Sequence, residues 1–276
     1  MKATTLEMFR EELLRTGSYR TPPERKAPVP RAKSWWTTFA FTMGPFSVFP
    51  KCAVYEALGW LNTDVWAHFC FRSVQTAEKF GIDVSFDGWE RRAAHNGPVV
   101  YLSNHMSTLE TILLPFTLLT YGPFNVVVKA SLSHLPFLEK AATHMGLVPI
   151  GRKSPREDLM TIFREGCGRI AAGNSFLIFP QGTRETVFAR RGFSSIGAKL
   201  AEKAGVPVMP IAVKTDCEPT RPGGKGWLKD FGTVDPSKEI RVRCGPPIAG
   251  TSKEMHAASF AWIKEQLDEW NMPTED

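Results

Sequence analysis

The stretch PVVYLSNHMSTLE, residues 98–110, is an apolar run of strand length that passes at once into a helical pattern. Similar apolar runs occupy 125–129, 147–150, 175–180 and 206–213, and a late one begins at residue 239. Helical patterns occupy 107–120, 132–145, 155–172, 194–204 and 252–270. Strands that alternate with helices predict an α/β fold, with a mostly parallel sheet flanked by helices.

Functional side chains of such folds gather in the loops at the carboxyl ends of the strands. His105, Gln181 and Arg184 each follow a predicted strand closely. These three residues are therefore the first candidates for a shared site.

The pair His105 and Glu110 has two interpretations. Ser107 and Glu110 fit the S/T-x-x-E capping box, in which both side chains bind backbone N–H groups at a helix start. Alternatively, a turn between them brings the Glu110 carboxylate to a ring nitrogen of His105, where it fixes the tautomer and stabilises the imidazolium of a general base. From this stretch alone, capping is the more ordinary explanation.

Composition narrows the class of protein. The net charge of +6 and pI near 9.1 indicate an anionic partner: a membrane surface, a phosphorylated small molecule or nucleic acid. The five cysteines are scattered and include no C-x-x-C pair, so we expect buried thiols in a reducing compartment rather than disulfides or a zinc site. The first thirty residues carry charges throughout, and we expect no secretory signal.

The chain divides into three segments by character. Residues 1–33 form a basic, proline-rich arm that we expect to be extended or disordered. Residues 34–80 are aromatic and helical in pattern, and we interpret them as helices that lie on or dip into a bilayer. The alternative is that these aromatic residues pack on the neighbouring domain. Residues 81–276 hold the α/β pattern.

Two further stretches carry positive charge next to predicted strands. LVPIGRKSPRED, residues 147–158, places Arg152 near a helix start, which suits a phosphate, although solvated basic turns are common. FPQGTRE, residues 179–185, offers Gly182 for a tight turn and Arg184 as a forked cation, although Q-G-T is also an ordinary polar turn.

Taken in order, NHMSTLE, VPIGR, FPQGTR and GVPVMPI resemble the four blocks of the glycerolipid acyltransferase family, typified by 1-acylglycerol-3-phosphate acyltransferases. The resemblance runs from about 82 to 250. It implies that His105 is the base and that Glu110 is its orienting partner. It also implies an acceptor site formed by Arg152, Gln181, Gly182, Thr183 and Arg184, with a pocket shaped by Pro210 and a further phosphate contact at Lys129.

Two positions depart from the family pattern. Glu110 stands where the family has aspartate, and Gln181 stands where it usually has glutamate. Gln181 is uncharged, and its amide both donates and accepts. This change favours either a more anionic head group or a different lysolipid acceptor.

The resemblance implies a membrane-associated lysophospholipid O-acyltransferase at the cytoplasmic face, which converts 1-acylglycerol-3-phosphate into phosphatidate. The expected donor is acyl-CoA or acyl-carrier protein, with no metal or bound cofactor and no nucleic-acid partner. Backbone N–H groups near Gly182 and Thr183 are expected to stabilise the oxyanion. Another lysolipid acceptor and a non-catalytic lipid-binding role stay open. A serine hydrolase would need G-x-S-x-G, and a nucleotide enzyme a glycine-rich phosphate loop; neither motif occurs in a suitable context.

Overall fold

The computed structural model describes residues 4–25, 27, 35–130, 145–151, 154–218 and 232–276. In these parts of the chain the helices are α1 (Leu6–Thr16), α2 (Trp35–Phe46), α3 (Val48–Ala57), α4 (Thr63–Lys79), α5 (Glu90–Ala93), α6 (Glu110–Leu119), α7 (Pro155–Ala171), α8 (Ile196–Ala204) and α9 (Ser252–Glu269). The predicted helix at 132–145 lies outside the described residues, except for its last position.

The strands are β1 (Tyr19–Arg20), β2 (Val84–Asp87), β3 (Val100–Ser103), β4 (Phe124–Lys129), β5 (Leu147–Ile150), β6 (Ser175–Ile178), β7 (Phe188–Ala189), β8 (Val208–Lys214), β9 (Ile240–Cys244) and β10 (Thr274–Glu275). Eight of them form one sheet in the order β1-β2-β9-β8-β3-β6-β4-β5. β7 and β10 form a separate parallel pair.

The middle of the large sheet is parallel. β8, β3, β6, β4 and β5 all run in one direction, whereas β9 is antiparallel to β8. The prediction of a mostly parallel sheet flanked by helices is therefore confirmed. Because β3 lies between β8 and β6, the loops that leave these three strands at their carboxyl ends meet at one edge of the sheet.

Two hydrophobic layers cover the sheet. On β3, Tyr101 points into a core shared with α4 and α6, and its neighbours Val100 and Leu102 point into a core shared with α7 and α8. This alternation of successive side chains is the two-residue period of a strand buried on both faces. The position of His105 at the end of β3 is thus fixed by packing on both sides.

The amino-terminal segment corrects one expectation. Residues 4–25 are ordered rather than extended: Thr5 caps α1 by accepting a hydrogen bond from Met8 N, and Leu6, Phe9 and Leu13 are buried. These three residues follow the i, i+3, i+7 spacing of an amphipathic helix. The spacing was present in the sequence, but the surrounding charges and prolines obscured it.

Residues 35–80 are helical as predicted, in the form of α2, α3 and α4. α4 packs on α6, with Ala67, Cys70 and Phe71 in the main core. α2 and α3 instead leave several large apolar side chains in solvent. No helix in the described part of the chain is long and apolar enough to cross a bilayer.

Candidate active site

Three loops meet at the carboxyl edge of the sheet. We call residues 104–109, between β3 and α6, the histidine loop, and residues 179–187, between β6 and β7, the FPQGTR loop. The third loop begins at Thr215, directly after β8. The site is built where these loops touch.

His105 and Glu110 are in contact. His105 Nδ1 lies 2.8 Å from Glu110 Oε1, and the same oxygen accepts from the backbone N–H groups of Met106 and Ser107, each at 2.7 Å. Glu110 is fully buried, while the His105 side chain keeps 15% of its surface exposed. The two interpretations of Glu110 are thus both realised in one carboxylate, which binds the backbone of the turn and the imidazole together.

The second carboxylate oxygen is bound as well. Ser107 Oγ and Thr215 Oγ1 each lie 2.7 Å from Glu110 Oε2. Burial by itself would raise the pKa of Glu110, but the hydrogen bond and charge of His105 and the two hydroxyl groups outweigh it. The pKa of Glu110 therefore lies below its ordinary value of 4.5, and the buried carboxylate is ionised at neutral pH.

These contacts assign the proton on the imidazole. Glu110 Oε1 already faces two backbone N–H donors, so it is an acceptor and His105 Nδ1 must donate to it. In the neutral ring Nε2 then carries the lone pair. The partly exposed imidazole is therefore arranged to take a proton at Nε2.

Asn104 fixes the start of the histidine loop. Its side chain donates to Val213 O at 2.9 Å and accepts from Val213 N at 2.8 Å. The buried Asn104 side chain thus makes the two hydrogen bonds that a backbone residue would make in the sheet. It extends the pairing of β3 with β8 past the end of β3. His105 begins its turn from a rigid support.

The FPQGTR loop closes over the histidine loop from the other side. The Phe179 ring stacks on the His105 ring at a centroid distance of 4.4 Å. Gln181 Oε1 accepts from His105 N at 2.7 Å, and Glu185 N donates to His105 O at 2.9 Å. The ring and the backbone of His105 are therefore held by three residues of this loop, in addition to Glu110.

Arg184 connects the same two loops through side chains. Its guanidinium donates to Thr108 Oγ1 at 2.6 Å, and Arg184 is half-buried. A guanidinium has five N–H donors in a fixed fork, so one group can serve Thr108 and an anionic ligand together. The structure thus places a cation three positions after Gln181 in sequence and beside the histidine loop.

The backbone conformation at Gly182 explains why a glycine stands there, and the hydrogen bond of its N–H bears on the expected oxyanion site. Its φ of +68° is a conformation that favours glycine. Its N–H donates to Phe179 O at 3.0 Å, so this N–H is used within the turn and is not directed at a substrate. Of the two N–H groups expected to stabilise an oxyanion, only that of Thr183 stays a candidate.

The other predicted residues lie in different surroundings. Thr183 is exposed in the FPQGTR loop, and Lys129 is exposed at the carboxyl end of β4. Pro210 is buried inside β8, opposite Leu102 of β3, and its ring approaches Gly245. It lies five residues before Thr215, so the structure does not bring it to His105. Arg152 lies outside the described residues.

Two residues of the site did not emerge from the sequence. Thr215 contacts Glu110, and Thr108 contacts Arg184. The available signal was position: Thr215 is the first residue after β8, which is next to β3 in the sheet. Strand order cannot be read from one sequence, so the neighbour of the histidine loop could not be identified. Within the described ranges, no group of three or more His, Cys, Asp and Glu side chains is placed to hold a metal ion.

Known proteins that are similar to this chain are acyltransferases. The Acyltransferase family model matches residues 83–214. The chain is 29% identical over 240 residues to a 1-acyl-sn-glycerol-3-phosphate acyltransferase of Pseudomonas aeruginosa, with 85% of each chain covered. It is also 29% identical over 170 residues to the chloroplastic 1-acyl-sn-glycerol-3-phosphate acyltransferase BAT2 of Brassica napus, where the match covers 61% of this chain and 46% of that protein.

A solved structure has the same fold. The 1-acyl-sn-glycerophosphate (LPA) acyltransferase PlsC from Thermotoga maritima superposes with a TM-score of 0.62 at 16% identity, over 86% of this chain and 95% of that chain. The family model and the relatives together define the class of protein as an acyl-transferring enzyme. The four sequence blocks that resemble those of the glycerolipid acyltransferases all lie within the residues that the family model matches.

Proposed function

We propose that this enzyme transfers an acyl chain from a thioester to the free hydroxyl of 1-acylglycerol-3-phosphate, giving phosphatidate and a free thiol. The observation that carries the proposal is the contact between the fully buried Glu110 carboxylate and His105 Nδ1. It leaves Nε2 as the proton acceptor of a partly exposed ring. The names of the relatives supply the substrate class.

In the proposed reaction, His105 Nε2 takes the proton of the acceptor hydroxyl as its oxygen attacks the thioester carbonyl. Glu110 stabilises the imidazolium that forms. The tetrahedral intermediate collapses, the C–S bond breaks, and the imidazolium returns its proton to the leaving thiolate. The Thr183 N–H is our candidate donor to the oxyanion.

We assign the acceptor phosphate to the positive side chains of Arg184, Lys129 and Arg152. Arg184 is tied to the histidine loop through Thr108. Arg152 follows β5, and Lys129 ends the neighbouring β4. Gln181 binds His105 N through its oxygen, so its NH₂ group points elsewhere and serves as a further neutral donor.

Gln181 is also the reason to consider a second lysolipid as the acyl acceptor. Replacement of the family's glutamate by an amide removes a negative charge next to the base, so a lysolipid with another head group is the alternative substrate. Acyl-CoA and acyl-carrier protein are both thioesters that suit this chemistry, and we propose one of them as the donor.

We further propose that α2 and α3 rest on an anionic membrane surface. Six large apolar side chains of this region are strongly exposed, and we call them the apolar patch: Trp36, Phe39, Met43, Val54, Leu58 and Trp60. Exposed tryptophan and other apolar side chains on short helices are typical of attachment in the interfacial plane. The five free thiols fit a reducing compartment and hence the cytoplasmic face.

Membrane attachment has a matched control. Trp60 and Met160 are equally exposed, at 61%, but Met160 lies on α7 outside the apolar patch. The double variant Trp36→Ser, Trp60→Ser should lose most of its co-sedimentation with phosphatidylglycerol-containing vesicles, while Met160→Ser should sediment like the parent. Equal sedimentation of all three proteins would contradict attachment through this patch.

The function itself is tested by mass spectrometry of the products formed from a panel of lysolipids with acyl-CoA and with acyl-carrier protein. Phosphatidate should dominate, and His105→Ala should abolish its formation. His256→Ala is the control, because His256 lies on α9 and bonds Phe193 O instead of Glu110. Transfer that persists in His105→Ala would refute the assigned base. If the enzyme acylates a different lysolipid and not 1-acylglycerol-3-phosphate, that lysolipid is the acceptor. If the protein binds lysolipids but transfers no acyl chain to any of them, its role is lipid binding and not catalysis.

A further inference from the structure

The two hydroxyl groups that contact Glu110 Oε2 come from two loops, one that follows β3 and one that follows β8. Ser107 belongs to the histidine loop itself, and Thr215 follows β8. Their oxygens also lie 2.9 Å apart, so the three oxygens form a closed triangle. Both residues are buried, with 2% of Ser107 and 0% of Thr215 exposed.

From this geometry we propose that Thr215 is a positioning residue, whose hydroxyl aligns the Glu110 carboxylate with His105. The proposal rests on the proposed function, because it assumes that His105 is the base. Thr215 is shielded from solvent and cannot touch substrate in this arrangement, so its effect on the reaction must pass through Glu110.

Proton counting makes Thr215 a donor. An ionised Glu110 has no proton, so each contact with it must be made by a donor. Ser107 Oγ also accepts from Leu109 N at 3.0 Å and has a single proton to give. Oε2 therefore receives one proton from Ser107 in the histidine loop and a second from Thr215, which lies outside that loop.

The need for this donor follows from the length of the glutamate. An aspartate at position 110 would hold its carboxylate about one carbon–carbon bond, ~1.5 Å, closer to the helix backbone. The extra methylene adds a torsion that must be fixed if Oε1 is to stay on His105 Nδ1. Contact with Thr215, which is 105 positions away in sequence, anchors the longer side chain to β8.

Thr215 is itself held firmly. Its backbone N–H contacts Met106 Sδ at 3.2 Å, next to the imidazole in sequence. β8 is locked to the histidine loop by the two hydrogen bonds of Asn104 to Val213. The hydroxyl can therefore act as a rigid reference point for the carboxylate.

The test compares Thr215→Val, which removes the hydroxyl at constant shape, with Thr215→Ser, which keeps it. We expect Thr215→Val to lower kcat roughly 10- to 100-fold, as befits the loss of a hydrogen bond to a charged group. The KM values of donor and acceptor should change less than about twofold, and Thr215→Ser should restore most of kcat. Thr215→Ala serves as a second hydroxyl deletion if Thr215→Val does not fold.

Thr117→Val is the matched control. Thr117 is equally buried, lies on the same helix as Glu110, and bonds the backbone oxygen of Leu113 instead of the carboxylate. It should change kcat little, even if it lowers the melting temperature as much as Thr215→Val does.

Three results would overturn the inference: a normal kcat in the hydroxyl-deleted variants, an equal loss in Thr215→Ser, or a change confined to KM. These results can be distinguished from failure of the proposed function. An inactive His105→Ala beside a fully active Thr215→Val removes only the role of Thr215. Transfer that persists in His105→Ala removes the base and this inference with it.

Discussion

Replacement of Glu110 by glutamine separates the two roles of this side chain: hydrogen bonding to the turn and the imidazole, and stabilising the imidazolium by its negative charge. The amide oxygen can still accept from His105 Nδ1 and from the N–H groups of Met106 and Ser107. The amide NH₂ can donate to the hydroxyls of Ser107 and Thr215, which then act as acceptors. Glu110→Gln therefore keeps the turn and the imidazole tautomer and removes only the negative charge.

The charge has a large expected effect on catalysis. The imidazolium that forms in the reaction lies against a carboxylate whose oxygen is 2.8 Å from Nδ1. With charge centres ~4 Å apart and an effective dielectric constant of about 20, the attraction is about 4 kcal/mol. Its loss corresponds to a fall in kcat of about 10³-fold. The fall in stability should be about 1–3 kcal/mol, since neutral hydrogen bonds replace charge-assisted ones.

The assay is kcat for acyl transfer, measured together with the melting temperature. Glu78→Gln is the control, because Glu78 is also a buried glutamate. It lies on α4 and is bound by the hydroxyls of Thr4 and of Tyr19, on the edge strand β1, which β2, β9 and β8 separate from β3. It should lower the melting temperature and leave kcat within about threefold. If Glu110→Gln behaves like Glu78→Gln, with lower stability and near-normal kcat, then Glu110 supports only the fold of the turn.

Other expected outcomes concern the acceptor and the pH dependence. Arg184→Ala should lower kcat/KM about 10- to 100-fold for a phosphorylated acceptor and less than about threefold for an uncharged one; an unchanged preference would remove Arg184 from the phosphate site. Gln181→Glu retains an acceptor for His105 N, so the enzyme should fold, but repulsion should raise KM several-fold for phosphorylated acceptors alone. The pKa of Glu110 is lowered in the fold, so its stabilisation is present above its ordinary pKa of 4.5 and is lost as pH falls below it. Burial raises the pKa of Glu78 above 4.5, so its contribution declines as pH rises through that higher value. Melting curves at pH 4 and 7 should therefore show Glu110→Gln becoming relatively less stable, and Glu78→Gln relatively more stable, as pH rises.

Much of the α/β portion was predictable, because there the hydrophobic periodicity and the residues that start and end helices and strands indicate the same elements. The apolar run 175–180 became β6, and the pattern at 155–172 became α7, where Ser154 accepts a hydrogen bond from Glu157 N. Local sequence dictates such elements. The short strand β2 and the helix α1 were missed, because each depends on partners distant in sequence.

Phe9 of α1 shows what the sequence could not reveal. Its ring lies among Tyr19, Phe71, Phe86 and Phe116, with centroid distances of 5.0–5.5 Å. One phenylalanine in a charged segment looks weakly apolar by itself. Tertiary packing supplies the burial that makes the helix stable, and no local property encodes it.

The same division applies to the site. Contact between His105 and Glu110 was predictable because both belong to one short turn. The closing of the FPQGTR loop on that turn depends on β6 lying next to β3, and the donor from Thr215 depends on β8 lying on the other side. Such contacts follow from strand order, which the family resemblance implied only in outline.

The spacing of five between the histidine and the carboxylate has a geometric cause. Two residues five apart on a straight helix point about 140° away from each other, so the pair can meet only if the helix begins at the second of them. α6 does begin at Glu110, and its N-cap residue Leu109 has no capping side chain. Glu110 Oε1 instead takes the N–H groups of Met106 and Ser107, in the turn that precedes the helix. The turn that satisfies these donors also delivers His105 Nδ1 to the same oxygen. The fold of this turn and the alignment of the base therefore depend on one another. A helix that began one turn earlier would satisfy its own backbone but carry the imidazole away from the carboxylate.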